Sequence, residues 1–235
     1  MASRGPAAPV GPDGLRPGPT VTNVLVEIYS DIVCPWCYIG QHQFAQALEQ
    51  SPYGDTIETK WRAFQLDPRA PAEPVSLFAA YTKKFGGEAQ AEAIISRITG
   101  AAEDVGLELR LDQALRVNTF DAHRLVWSAH DTEMQWDLER RLMESYFVEG
   151  ANVSDRSTLV DIAEEVGLDP TEVERFLASD AGRAEVLAEM TEAGERDVFA
   201  VPNFIFGGQV GIPGAQDVET FERIIDRAMQ RFDPD

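Results

Sequence analysis

The sequence is poor in the side chains that bind metals and build disulfide frameworks. It has two cysteines and three histidines among 235 residues. Two cysteines cannot supply the several crosslinks that stabilise small secreted scaffolds. A structural zinc site needs about four ligands, usually in two closely spaced pairs, and the sequence offers a single such pair. We therefore expect neither a disulfide scaffold nor a metal centre.

Basic residues and long apolar runs are also scarce. Lysine and arginine together number 20 against 40 aspartates and glutamates, which gives a formal net charge of −20 at pH 7. A surface this acidic repels phosphate backbones and anionic lipids, so nucleic-acid and membrane partners are not expected. No run of about 18 apolar residues without charge is present, as a membrane-spanning helix would require. The hydrophobic content of 44% instead predicts a globular chain with a sizeable core.

Residues 1–22 differ in composition from the rest of the chain. They are rich in proline and glycine, and they lack the continuous apolar segment of a secretory signal. We expect this segment to be a disordered tail. In the absence of a secretory signal, the expected location is cytoplasmic, where cellular thiols are kept reduced.

The hydrophobic pattern predicts an α/β fold in which a thioredoxin-like core is interrupted by helices. Residues 23–74 are typical of a strand, a helix and a second strand that pairs parallel to the first. Residues 198–235 predict a hairpin with a Gly207-Gly208 turn and a final amphipathic helix. The order β-α-β and then β-β-α is that of a thioredoxin-like core. We expect residues 75–197 to form an inserted α-helical domain.

Apolar residues at helical spacing indicate several helices within the insertion. A stripe from Ala91 to Val105 predicts one, and an Asp169 cap followed by Pro170 predicts the start of another. Phe78, Tyr81 and Phe85 are predicted to belong to the core of the insertion. The remaining helices are expected at Phe120–Asp131, Asp137–Val148 and Thr158–Val166.

The two cysteines, Cys34 and Cys37, lie three positions apart at the start of the first predicted helix. A disulfide between them closes almost no loop, so it adds little stability by constraining the unfolded chain. Redox chemistry explains the pair better than zinc binding or coincidence. The unpaired N–H groups and the positive end of the helix dipole favour the thiolate of Cys34, the expected exposed nucleophile. Cys37 is then the resolving thiol, which attacks the mixed disulfide.

Four segments together carry a resemblance to a known family. They are Ser30–Gly40, which contains Cys34-Pro35-Trp36-Cys37, and then Asn118–Leu125, Val201–Phe206 and Gly214–Gln216. This set resembles the DsbA-like thiol:disulfide oxidoreductases, most closely their FrnE-type cytosolic branch. The resemblance implies exchange of disulfides with protein or small-molecule thiols and no bound cofactor. Electrons would come from glutathione or another thiol system, in the direction of reduction or isomerisation.

The resemblance also implies roles for residues around the cysteines. Pro202 is expected to be cis and to face them, with the backbone of Val201 pairing with an extended client peptide. Pro35 suits the first helical turn, and Trp36 is expected to be half-exposed and to offer the client an apolar contact. The absence of histidine between the cysteines predicts a couple less oxidising than those of the strongest oxidants.

Glu27 is a candidate proton acceptor on the first strand. By strand parity it shares a face with Leu25 and Tyr29, near the Cys37 side. Burial there would raise the pKa of its carboxyl group and allow it to take the proton of Cys37. The alternative is a solvated glutamate on the face of the strand.

Two other functions remain open at this point. The 2-hydroxychromene-2-carboxylate isomerases and kappa-class glutathione transferases share the expected fold, bind glutathione and use a serine where this chain has Cys34. Retention of both cysteines argues against that function. A redox-independent chaperone or binding module is the other alternative, and it predicts that serine at both positions leaves client protection intact.

Overall fold

The computed structural model describes residues 23–71 and 73–232, and the tail predicted for residues 1–22 lies outside this part of the chain. Within the described residues the strands are β1 (Val24–Ser30), β2 (Ile57–Ala63), β3 (Val75–Ser76), β4 (Leu115–Arg116), β5 (Asn203–Phe206) and β6 (Val210–Pro213). The helices are α1 (Pro35–Gln50), α2 (Leu77–Phe85), α3 (Glu88–Glu103), α4 (Phe120–Ser128), α5 (Met134–Phe147), α6 (Arg156–Glu165), α7 (Pro170–Ala178), α8 (Arg183–Glu195) and α9 (Val218–Phe232).

Four strands form the central sheet in the order β2-β1-β5-β6. β1 and β2 are parallel and joined through α1, as the predicted βαβ unit requires. β5 is antiparallel to both β1 and β6. Gly207 and Gly208 have φ angles of 55° and 68°, which is the left-handed conformation of a two-residue hairpin turn. The predicted α/β fold with a thioredoxin-like core is confirmed.

Aromatic side chains fill the space between the sheet and its helices. Phe44 of α1 is fully buried, and its ring centroid lies 5.1 Å from that of Phe204 in β5 and 5.1 Å from that of Phe221 in α9. Phe206 meets the same ring edge-on at 6.2 Å. Rings at these separations add to the stabilisation from apolar burial. This cluster fixes α1, and therefore the cysteines at its N-terminus, against the sheet.

The helical segment between β2 and β5 follows the predicted order, with ends shifted by up to three residues. Asp169 caps α7 as predicted, accepting hydrogen bonds from the N–H groups of Thr171 and Glu172. The segment also contains a two-stranded antiparallel ribbon of β3 and β4, which the sequence pattern did not indicate. The prediction that Phe78, Tyr81 and Phe85 are core residues is wrong, because α2 contains no buried residue.

The helical segment closes the β2 edge of the sheet. The Gln135 side chain of α5 accepts a hydrogen bond from the Trp61 N–H at 3.0 Å, and it donates to the Trp61 carbonyl at 3.4 Å. Glu189 of α8 accepts from the Ala63 N–H at 3.0 Å. An open strand edge invites pairing with other chains, and these two side chains satisfy its backbone groups. Core and insertion therefore share one continuous set of buried residues.

Arg124 of α4 holds the C-terminus of α7 in place. Its guanidinium is buried and donates to the carbonyl oxygens of Ser179 at 2.7 Å and Ala181 at 2.8 Å, and to the carboxylate of Asp121 at 2.7 Å. Lysine cannot reproduce this planar array of donors. We expect Arg124→Lys to lower the free energy of unfolding by about 3 kcal/mol. Urea unfolding measures this effect.

The matched control for Arg124→Lys is Arg175→Lys, because Arg175 lies on α7 with 78% of its side chain exposed. We expect that variant to unfold within about 0.5 kcal/mol of the wild type. Equal stabilities of the two variants would contradict the role assigned to Arg124.

Among residues 23–71 and 73–232, none of the helices combines the length and apolar composition that a membrane crossing requires.

Candidate active site

Cys34 is the N-cap of α1. Its Sγ accepts a hydrogen bond from the Cys37 N–H at 3.3 Å, and its backbone is extended, with φ −90° and ψ 110°. Pro35 occupies the first position of the helix, where its missing N–H costs no hydrogen bond. The sulfur thus receives one of the N–H groups that a helix N-terminus leaves free. Both cysteines are free thiols in this structure.

A second segment, from the loop before β5, covers Cys34. The Cys34 thiol points to the Val201 carbonyl oxygen at an Sγ–O distance of 3.7 Å, and the Val201–Pro202 peptide bond is cis, as predicted. The prediction of an exposed Cys34 is wrong, because only 3% of its surface is accessible. The covering carbonyl belongs to a residue far along the sequence, so the local pattern at the cysteines did not reveal it.

The loop at Pro202 packs closely on α1. A side chain at Gly40 would place its Cβ 3.2 Å from the Pro202 Cγ, so glycine there allows this approach. The Pro202 carbonyl accepts from the Gly214 N–H at 2.8 Å, which holds the loop from its other side. The Val201 N–H has no hydrogen-bond partner within residues 23–71 and 73–232. The residue whose carbonyl contacts the Cys34 sulfur therefore also carries a backbone donor without a partner among the described residues.

Two aromatic residues lie close to the cysteines, Trp36 between them in the sequence and Tyr81 on α2. Trp36 is partly buried and packs against the core, so it is less exposed than the predicted half-exposed indole. Burial raises the pKa of Tyr81, and the charge of Cys34 raises it further, which places this residue of α2 within electrostatic reach of the thiolate. Sequence reasoning missed this position, since the aromatic spacing of α2 is equally typical of a core helix.

Cys37 lies deeper than Cys34 and is 1% exposed. Burial raises the pKa of its thiol well above the ordinary value, and the nearby Cys34 sulfur raises it further. The Asp31 N–H and the Ser30 hydroxyl offset this only in part. Cys37 therefore stays protonated at neutral pH unless a neighbouring group takes its proton.

A buried ion pair lies behind the cysteines. Asp31 follows β1 and is 1% exposed, and its Oδ2 accepts from the Leu66 N–H at 2.7 Å. Its Oδ1 lies 3.3 Å from Nε2 of His123 in α4. Burial by itself lowers the pKa of His123, but the hydrogen bond and charge of Asp31, with Glu139 and Glu189, outweigh it and raise that pKa. Asp31 thus favours the charged form of the imidazole.

Glu139 of α5 is a second buried carboxyl group in this region. It is 1% exposed, and burial raises the pKa of its carboxyl to about 7, with Asp31 adding to the effect and His123 and Ser30 opposing it. Neither its Oε2 nor the Ser30 Oγ has a hydrogen-bond partner among the described residues. Sequence reasoning did not single out Glu139, because it is one of many acidic residues on helices and lies 102 positions from Cys37.

Glu27 does not have the environment predicted for a proton acceptor. Its Oε1 accepts from Arg62 Nη2 at 2.6 Å and its Oε2 from Arg196 Nη1 at 2.7 Å. Burial raises the pKa of Glu27, but the hydrogen bonds and charges of Arg196 and Arg62 outweigh this and lower it. The prediction of a raised pKa is wrong, because two arginines from β2 and the end of α8 neutralise the buried charge. Glu27 instead joins the sheet to the insertion.

The Glu27 ion pairs predict a pH-dependent stability. The pKa of the Glu27 carboxyl is 4.5 in the unfolded chain and lower in the folded protein. The ion pairs therefore contribute their full stability above pH 4.5, and this contribution is lost as the pH falls through the folded-state pKa. We expect Glu27→Gln to lose about 3 kcal/mol of unfolding free energy at pH 7, because two partly buried guanidinium groups lose their charged partner. The loss should shrink towards pH 3. Urea unfolding checks both points, with Glu58→Gln on the exposed face of β2 as the control.

Metal binding finds no support in the geometry. Within residues 23–71 and 73–232, no group of three or more histidine, cysteine, aspartate or glutamate side chains is arranged to hold an ion. The arrangement offers instead a thiol at a helix N-terminus, a second thiol behind it and a buried polar cluster beneath both. Two of these are the parts that thiol–disulfide exchange requires: a nucleophile and a resolving thiol.

Comparisons with known proteins agree with this geometry. The uncharacterized protein YwbO of Bacillus subtilis is 29% identical over 207 residues, covering 86% of this chain and 96% of YwbO. The crystal structure of a probable DsbA oxidoreductase from Streptomyces coelicolor has a TM-score of 0.81 at 33% identity, with 88% of this chain and 90% of that chain covered.

A more distant structure shows the same fold. It is the cytosolic disulfide reductase DsbM from Pseudomonas aeruginosa with GSH, at a TM-score of 0.61 and 15% identity, with 88% and 99% of the two chains covered. The family model described as the DSBA-like thioredoxin domain matches residues 25–226. This chain belongs to the DsbA-like thioredoxin-domain family.

Proposed function

We propose that this protein is a dithiol–disulfide oxidoreductase that exchanges disulfides with protein or small-molecule thiols. The observation that supports it most is the pair formed by Cys34 and Cys37, one thiol at the N-cap of α1 in contact with the Val201 backbone and the other behind it. Cys34 attacks a disulfide of the client and becomes joined to it. Cys37 then attacks the Cys34 sulfur, which forms the enzyme disulfide and releases the client.

The residues around Cys34 bind the client in this proposal. An extended peptide donates to or accepts from the Val201 backbone as an added strand would, while Pro202 and Pro35 shape the floor of the groove. Trp36 contributes a flat apolar contact at the rim. Residues 23–74 and 198–235 supply the redox core, and the insertion at residues 75–197 covers it.

The electron partner is glutathione or another thiol system, and no cofactor is bound. The solved structure of DsbM with GSH supports this choice of partner. The cytoplasm is the proposed location, supported by the description of DsbM as cytosolic. In a compartment that keeps thiols reduced, reduction or isomerisation of client disulfides is favoured over net oxidation.

Trapping with oxidised glutathione tests the assignment of the two thiols. We expect Cys37→Ser to accumulate a stable glutathione adduct on Cys34, because no thiol remains to resolve it. Cys34→Ser should stay unmodified under the same conditions, since Cys37 is buried and protonated. Intact-mass measurement and peptide mapping identify the adduct.

The result also separates the alternatives. An adduct on Cys37 in preference to Cys34 would reverse the assigned roles. Isomerase or conjugating activity that survives Cys37→Ser would favour the glutathione-dependent isomerase or transferase. Client protection that survives serine at both positions, without any redox cycle, would favour the chaperone.

A further inference from the structure

Several buried polar groups in the described part of the protein have no hydrogen-bond partner, and one of them, Ser30, lies near Cys37. The Ser30 Oγ at the end of β1, both amide atoms of Gln41 in α1 and the Glu139 Oε2 in α5 are buried, and none has a hydrogen-bond partner among the described residues. Gln41 lies one helical turn beyond Cys37 on α1. Unpartnered buried polar groups are rare in folded proteins because they lose their hydrogen bonds to water. Three such residues on β1, α1 and α5 point to a function for their free atoms.

Helix packing holds Glu139 close to the helix that bears the cysteines. The Phe147 ring of α5 stacks on Tyr38, the residue after Cys37, with ring centroids 5.5 Å apart. At the other end of α5, Trp136 contacts Phe44 at 6.4 Å. Glu139 lies between these two contacts along α5. These contacts fix α5, and with it the buried Glu139, relative to α1.

Ser30 lies near both the Glu139 carboxyl and the Cys37 thiol, and its hydroxyl is hydrogen-bonded to neither of them in this structure. Its hydroxyl lowers the pKa of Cys37 and also that of Glu139, so it lies within reach of both groups. A hydroxyl both donates and accepts hydrogen bonds, so it can receive one proton while it gives up another. Among the described residues, nothing else occupies either of its hydrogen-bonding positions.

We propose that Glu139, acting through the Ser30 hydroxyl, accepts the proton that Cys37 loses when it resolves the mixed disulfide. This inference rests on the proposed function. It places the proton acceptor on a helix of the insertion rather than on β1, where the sequence had suggested Glu27. The insertion thereby takes part in the chemistry of the thioredoxin-like core.

In the proposed reaction, the proton leaves Cys37 as the enzyme disulfide forms. The Cys37 S–H proton passes to the Ser30 oxygen while the Ser30 O–H proton passes to the Glu139 carboxylate. The Cys37 thiolate attacks the Cys34 sulfur, the Cys34–client S–S bond breaks and the Cys34–Cys37 bond forms. The client leaves as a thiolate and takes a proton from water. Two electrons have moved from the enzyme dithiol to the client disulfide, and the Glu139 proton returns to Cys37 when glutathione reduces the enzyme.

The charges around Glu139 suit this role. Asp31 of the β1–α1 connection raises the pKa of its carboxyl, and the charged His123 of α4 lowers it. Glu189 of α8 acts on the same histidine but is itself paired with Arg62 of β2. Two further helices pack against α5. The ionisable group that α1 contributes is Cys37, whereas the buried residues of α6 are apolar: Leu159, Ile162 and Ala163. The resulting pKa of about 7 gives Glu139 a substantial carboxylate fraction at neutral pH.

The other buried ionisable groups are less suited to accept this proton. His123 is already bonded to Asp31, which raises the pKa of the imidazole and favours its charged form, so its ring is less suited to accept another proton. The Asp31 carboxylate is already engaged by His123 and by the Leu66 N–H. Glu27 is paired with two arginines. Glu139 alone among these four residues has a buried carboxylate oxygen with no partner.

The test follows the two steps of oxidation separately in the full chain. Reduced enzyme is mixed with excess oxidised glutathione in a stopped-flow instrument, and tryptophan fluorescence is recorded between pH 5.5 and 9. The first phase depends on glutathione concentration and reports attack by Cys34. The second is independent of concentration and reports resolution by Cys37. For the wild type we expect the rate of the second phase to inflect near pH 7.

Glu139→Gln should slow the second phase roughly 100-fold at pH 7.5 and abolish the inflection near pH 7. Ser30→Ala should slow it as well, and the first phase should change less than about twofold in both variants. The matched control is Glu144→Gln on the exposed side of the same helix, which should leave both phases unchanged. A Glu139→Gln variant with the wild-type rate and inflection would overturn the proposal.

A spectroscopic measurement keeps the proposal testable if Glu139→Gln does not fold. Infrared spectra of reduced wild-type enzyme with isotopically labelled glutamate should show one protonated glutamate at pH 6 that ionises near pH 7. Absence of that band would overturn the inference. If the wild type never forms the Cys34–Cys37 disulfide, the proposed function itself fails. If the disulfide forms and the Glu139→Gln profile matches the wild type, only the role of Glu139 fails.

Discussion

Replacement of Cys34 by serine is expected to abolish turnover, with a loss on the order of 10³-fold or more. The hydroxyl of serine is a far weaker nucleophile than a cysteine sulfur, and the helix N-terminus cannot compensate for the loss of that sulfur. Cys37 cannot replace it, because burial raises the pKa of its thiol well above the ordinary value. Reduction of a small disulfide, coupled to glutathione and glutathione reductase, measures this loss.

The matched variant for this experiment is Cys37→Ser, which retains the nucleophile. We expect it to perform one exchange and then stop as the mixed disulfide, unless glutathione releases Cys34 by direct attack. Retention of more than a tenth of wild-type turnover by Cys34→Ser would show that the reaction uses another thiol or another mechanism. The same result would remove the basis for the groove at Val201 and Pro202.

Replacement of Glu139 by glutamine is expected to stabilise the protein increasingly as the pH rises. A group whose pKa is raised from 4.5 to about 7 contributes stability that is complete below 4.5 and is lost as the pH rises towards 7. The wild type therefore contains a destabilising buried charge at alkaline pH, and the variant does not. We expect the unfolding free energy of Glu139→Gln minus that of the wild type to grow by about 2 kcal/mol between pH 5.5 and 8.5.

Urea unfolding of the reduced proteins at several pH values measures this difference. Glu144→Gln is again the control, because its side chain is 40% exposed and paired with Arg140 at the surface. A difference for Glu139→Gln that stays constant over the pH range would contradict a buried carboxyl that titrates near neutrality. The experiment needs no redox activity, so it examines the environment of Glu139 independently of the exchange reaction.

The thioredoxin-like core and its two cysteines could be predicted from the sequence, because the patterns that indicate them are local. The parallel pairing of β1 and β2 follows from the βαβ order, and the hairpin of β5 and β6 follows from Gly207-Gly208. Cys34 and Cys37 lie at the start of a helix. The hydrogen bond from the backbone to the Cys34 sulfur depends only on this local geometry. Family resemblance supplied the cis bond before Pro202.

The environment of the cysteines was not accessible in the same way. The carbonyl that covers Cys34 lies 167 positions away, and the partner of Asp31 lies 92 positions away. Strand parity placed Glu27 on a buried face correctly, but it gave no sign of Arg196 at the end of α8. Burial raises the pKa of a carboxyl group and paired cations lower it. The direction of the shift for Glu27 therefore depends on neighbours that only the folded chain brings together. The ribbon of β3 and β4 was missed because each strand has two residues.

Equilibration of Cys34 and Cys37 with glutathione redox buffers tests the central claim most directly. Acid quenching, alkylation of free thiols and intact-mass measurement give the fraction of oxidised enzyme at each buffer ratio. We predict a reversible two-electron transition with a midpoint between about −270 and −180 mV, the range of thiol reductases and isomerases. A midpoint near −120 mV would contradict the proposed direction of electron flow. Thiols that never pair reversibly at any ratio would contradict the claim that this chain is a thiol–disulfide oxidoreductase.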